Sequence, residues 1–142
     1  MRRNRLALVA AAAILLATGC VAVPAASVKQ QMTAVDKASA VLFSVAGEVD
    51  PANGPDQPPV PAARWRAAAD AARTLQTVGK AMQAPAHARD NGPWMTLAKE
   101  MTDLSAAALA AANGRNAADL ATASNALSDN CTACHTPYKP KS

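Results

Sequence analysis

Aromatic side chains are almost missing from this 142-residue chain, which has one Phe, one Tyr and two Trp. A core built from it cannot rest on stacked rings. Hardly any segment alternates apolar and polar residues as a strand does, which argues against a sheet-based fold. Internal repeats are absent, so a solenoid is excluded. The longest apolar run, Leu6 to Ala17, falls short of the roughly 20 residues that span a bilayer. Basic residues are not clustered with aromatics, so nucleic acid is not an expected partner. Ser, His and Asp form no recognisable catalytic motif, and the chain does not read as an enzyme. Histidine occurs twice and cysteine three times.

The first 20 residues, MRRNRLALVAAAAILLATGC, have the three arginines, short apolar run and small residues of an export signal. Two processing routes fit. Thr18-Gly19-Cys20 after Leu16-Ala17 resembles a bacterial lipobox, in which Cys20 is lipidated and becomes the new N-terminus. Cleavage after Ala25 would instead discard Cys20 with the leader. Lipidation would anchor the protein to a membrane without spanning it. Either route exports the protein, and the expected location is the periplasm of a Gram-negative bacterium. Three of the 14 Lys/Arg belong to this leader, leaving 11 against 10 Asp/Glu. The domain from residue 21 to 142 is therefore close to neutral, and the basic net charge carries no information about partners.

What remains is rich in alanine, the best helix former. Pro, Gly and Asn divide it into four helical stretches. The first runs from about Ser27, a plausible N-cap, to Ala46 with Gly47 as its C-cap. Its stripe is Val28, Met32, Val35, Ser39, Leu42 and Ala46. Five prolines between 51 and 61 exclude regular structure there and mark a surface crossover. The second helix starts near Pro61 and reaches Ala84, with Trp65, Ala68, Ala72, Leu75, Gly79 and Met82 facing inward. The third spans about Pro93 to Asn113 and stops at Gly114; its stripe is Trp94, Leu97, Met101, Leu104, Ala108 and Ala111. The fourth begins near Asn116, buries Leu120, Ala123, Leu127, Cys131 and Cys134, and ends at or just before Pro137. The expected fold is an all-α antiparallel four-helix bundle. Alanine-lined helices either pack closely or leave room for something large.

The last helix carries Cys131-Thr132-Ala133-Cys134-His135. Positions i, i+3 and i+4 project to one side. Two thiols and an imidazole in this order suit covalent haem, the thiols binding the macrocycle and His135 the iron. Three alternatives are weaker. A thioredoxin-like pair expects a βαβ context. A closed zinc site needs four ligands. A disulfide across one helical turn closes almost no loop. For the opposite face of the iron, Met32 offers a thioether; it is otherwise core filler. His87, alone in the loop between helices 2 and 3, reads as solvated, and Trp65 and Trp94 read as core packing.

An exported alanine-rich four-helix chain with its single CxxCH at the C-terminus resembles the class II cytochromes c, the cytochrome c prime family. The family's ending is CxxCH, two residues, an aromatic and a basic residue; here these are Tyr138 and Lys139. The resemblance implies a single haem c on Cys131 and Cys134 with His135 as fifth ligand and Lys139 near the imidazole. Low-spin members place a helix-1 methionine on the iron and carry electrons between redox partner proteins, which matches Met32. Other members leave that position open and bind NO or CO. The arginine that many gas-binding members carry on helix 1 is absent, with Lys29 and Gln30 standing nearby, which favours the electron carrier. Family members often dimerise through helices 1 and 2, so a homodimer is compatible with the resemblance. A haem-free helical lipoprotein is the remaining alternative.

Overall fold

The structure, a computed structural model, describes residues 26–140. The leader, Cys20 and both proposed cleavage points lie outside the described residues. Four helices follow in order: α1 Val28–Val49, α2 Ala62–Met82, α3 Pro93–Gly114 and α4 Ala117–Tyr138. None is long and apolar enough to cross a membrane.

The helix ends show why the chain folds where it does. Ser27 opens α1 with a full capping box: the Gln30 N–H donates to Ser27 Oγ, and the Ser27 N–H donates to Gln30 Oε1. Gly47 does not end this helix. The helix continues to Val49 because Val45, Ala46 and Val49 are all buried, and burial of an apolar face outweighs one glycine. Asn53 instead caps the helix end, donating to Gly47 O at 2.8 Å. A short 3-10 turn, Pro51–Asn53, is the only regular piece described in the proline-rich crossover.

The stop of α3 also differs by one residue. Gly114 stays helical, and Arg115 takes the left-handed conformation at φ 52°. The Arg115 N–H bonds Ala112 O at 3.2 Å and the Asn116 N–H bonds Ala111 O at 2.9 Å, the pairing of a Schellman motif. Asn116 then caps α4, its Oδ1 accepting from the Asp119 N–H. With no room for an intervening loop, α3 and α4 form a tight antiparallel hairpin.

Side-chain contacts fix the order at each end. Arg64 near the start of α2 pairs with Glu48 near the end of α1. Trp94 at the start of α3 donates through Nε1 to Met82 O at the end of α2, at 2.7 Å. Tyr138 at the end of α4 packs on Trp94. The bundle is therefore antiparallel, and one end gathers the start of α1, the α2–α3 loop, the start of α3 and the end of α4. Of the neighbouring pairs, α2 and α3 touch most and α1 and α4 least. A cavity of about 280 Å³ lies between residues 43–50 and 121–128 in that loosest seam.

The stripe expected for α2 is buried at all six positions. On α3, Leu97 and Leu104 are only half-buried, while Ala98, Ser105 and Ala112 are buried beside the expected Trp94, Met101, Ala108 and Ala111. On α1 the buried face is Gln31, Val35, Ala38, Leu42, Val45 and Val49, with Ala46 beside it. Val28, Met32 and Ser39 sit on its flank. Small side chains bring α2 and α3 very close: a Cβ on Gly79 would lie 2.6 Å from Thr102 Oγ1 and 3.0 Å from its backbone nitrogen.

Candidate functional site

Cys131, Cys134 and His135 occupy the last two turns of α4, at the bundle end described above. Both cysteines are free thiols and half-buried; His135 is exposed. The helix leads them there from Leu120, Ala123 and Leu127, which point into the core. Burial pushes both thiols above their ordinary value, and Cys131 pushes Cys134 further. A raised thiol is the less reactive form, which argues against a thiolate redox pair at this position. Among the described residues, no three His, Cys, Asp or Glu side chains converge as metal ligands.

Pro137 sits inside the helix rather than ending it. The helix runs to Tyr138, and the Lys139 N–H bonds His135 O at 3.1 Å. Proline removes one donor at an exposed helix end, where that loss is small. Tyr138 holds the last turn from outside: its ring meets Trp94 edge to face, centroids 5.0 Å apart, and its hydroxyl donates to Asp90 Oδ2. Lys139 follows just past the helix and is exposed.

Met32 lies near the start of α1, at the same bundle end, half-buried and packed against the core. The fully buried position is its neighbour Gln31, 8% exposed. Gln31 Nε2 donates to Ala26 O at 3.1 Å and lies 3.0 Å from His87 Nε2, while Gln31 Oε1 is buried without a partner. His87 is thus not the solvated loop residue expected from its context. It is half-buried and packed toward α1. Trp65 and Trp94 are buried in the core, as expected, although Trp94 also adjoins Tyr138, and Arg89 lies 6.0 Å over its ring.

Three polar residues at this end escaped the sequence reading. Gln31 could have been found by phasing the α1 stripe backwards from Val49, Val45, Leu42 and Val35. Asp90 precedes Gly92-Pro93 at a capping distance, and its Oδ1 accepts from the N–H groups of Gly92 and Trp94 at 2.9 and 3.0 Å. Asn130, 5% exposed, donates to Leu97 O and Glu100 Oε2 on α3, anchoring α4 one residue before Cys131. Its spacing from Leu127 marks it as inward, but an Asn beside a CxxCH draws no attention as an anchor.

Comparison with protein-family models, with curated proteins and with solved structures returns no match.

Proposed function

We propose that this chain is an exported monohaem c-type cytochrome that carries single electrons between redox partner proteins. The observation that carries the reading is Cys131-x-x-Cys134-His135 on the final turns of a four-helix bundle, both thiols half-buried. The donor set fits haem c. Cys131 and Cys134 would hold the macrocycle as thioethers, and His135, exposed and one turn on from Cys131, would take one axial position. Contact between α1 and α4 is the lightest of the four neighbouring pairs, which is compatible with a flat group beside α4, although the cavity in that seam lies toward the opposite end. Gln31 Oε1 supplies an unpartnered polar atom inside the same end. When bound, the haem supplies Fe(II)/Fe(III) one-electron chemistry.

The chain's own residues do the rest. Met32, at the same end on α1, would supply the thioether on the second axial position, a pairing that raises the reduction potential. Met82 and Trp94, both buried at this end of the bundle, would help to keep water from the group. The leader would direct the protein to the periplasm, and lipidation at Cys20 would hold it to a membrane. A second reading, a five-coordinate haem protein that binds NO or CO, draws on the half-buried position of Met32. The absorption spectrum separates them. The electron carrier shows a methionine-to-ferric-iron charge-transfer band that vanishes in Met32→Ala. A high-spin ferrous spectrum that readily takes up CO in the unaltered protein contradicts it.

A further inference from the structure

We propose that the loop 83–92 is a strap that sets the spacing of the two axial-ligand segments, with His87 and Asp90 as its positioning residues. The inference rests on the cytochrome reading above. The loop grips α1 through His87 and Gln31, one residue before Met32. It grips α4 through Asp90 and Tyr138, three residues after His135. These contacts join segments 56 and 48 positions apart in the chain. Of the neighbouring helix pairs α1 and α4 touch least, so the two grips of the loop add a link between them at this end.

The strap is stiff between its two grips. The N–H groups of His87 and Ala88 both bond Ala84 O, at 2.9 and 3.0 Å. Asp90 Oδ1 caps the start of α3, and Trp94 ties that start to the end of α2. Gln83 Nε2 reaches Thr102 Oγ1 on α3 at 3.0 Å. Chemistry also sets the direction of the α1 grip. The bond to Ala26 O fixes the Gln31 amide with Nε2 as donor, so His87 Nε2 accepts and the imidazole carries its proton on Nδ1. With that lone pair engaged by Gln31, His87 positions α1 rather than binding iron itself.

Two measurements test the strap, each on the full chain. In the haem-free protein, hydrogen exchange is followed in peptides covering 28–35 and 130–138. His87→Ala cuts the α1 grip, and Tyr138→Phe cuts the α4 grip while keeping the ring on Trp94. Each variant is expected to speed exchange in both segments by about tenfold, the effect of losing one hydrogen bond. Faster exchange only in the segment facing the cut, or in neither, overturns the strap. In the haem-loaded protein, exogenous imidazole competes with Met32. Both variants are expected to bind it about tenfold more tightly, as for other residues that orient a metal ligand. Glu48→Gln, at the opposite end of the bundle, leaves the affinity unchanged. Unchanged imidazole affinity in both strap variants overturns the positioning role alone. A chain that carries no haem overturns the cytochrome reading, and the positioning role with it.

Discussion

Asp90 and Tyr138 shift each other's acidity in opposite directions. The tyrosine hydroxyl is the main cause holding the Asp90 carboxyl below its ordinary 3.8, helped by the Trp94 and Gly92 N–H groups. A carboxyl lowered by folding stabilises above its ordinary value, and that stability is lost as pH falls below it. The Asp90 hydrogen bond is in turn the main cause raising Tyr138 above its ordinary 10.0. A phenol raised by folding stabilises below its ordinary value and loses that contribution as pH rises through its folded pKa. Thermal melting between about pH 5 and 3 should therefore fall more steeply in the unaltered protein than in Asp90→Asn. Parallel curves would remove the assignment. The raised thiols give a second expectation. In haem-free protein, iodoacetamide should label Cys131 and Cys134 slowly at neutral pH and rapidly only above their ordinary 9.0. Fast labelling at neutral pH would show thiolates instead. The grouping of Cys131, Cys134 and His135 on one helix was legible in the sequence because it is local, three residues within one and a half turns. The contacts of Asp90 with Tyr138 and of Gln31 with His87 were not, because those partners lie 48 and 56 residues away and only folding brings them together.

Helix existence was legible because alanine propensity, apolar spacing and proline breaks agree along this chain. The ends were less so. Gly47 and Gly114 look like stops, yet Val49 is buried beyond the first and the Schellman pairing moves the second stop to Arg115. A left-handed arginine carries a steric cost of about 1–2 kcal/mol that glycine avoids. Arg115→Gly should accordingly raise stability by about 1 kcal/mol in urea titration. No gain would mean that the Arg115 side chain contributes an equal stabilisation. Gly79→Ala tests the α2–α3 contact. Helix propensity alone favours alanine by about 1 kcal/mol. The new Cβ, however, meets the Thr102 backbone at 3.0 Å, and overpacking of this kind costs about 1–3 kcal/mol. A net loss of stability is expected; a net gain would show that the two helices separate freely. The α1 stripe was misphased for a simpler reason. Glutamine was not admitted as an inward residue, so Met32 took the place that Gln31 holds.

At the scale of the whole molecule, the antiparallel order brings distant segments to one end of the bundle. Residues near 30, 87, 90, 94 and 135 meet at one end because four helices of similar length alternate in direction. The alanine-rich stripes pack α2 closely on α3, while α1 and α4 make the lightest contact of the neighbouring pairs. The central claim, carried by the proposal above, is that a haem is covalently attached to α4 through Cys131 and Cys134. The most direct test is the intact mass of the chain, expressed with its leader in a host that attaches haem c and analysed after denaturation. The account predicts a mass increased by one haem, lost when Cys131 and Cys134 are both replaced by alanine. An unmodified mass, with both thiols still free to alkylate, would contradict it.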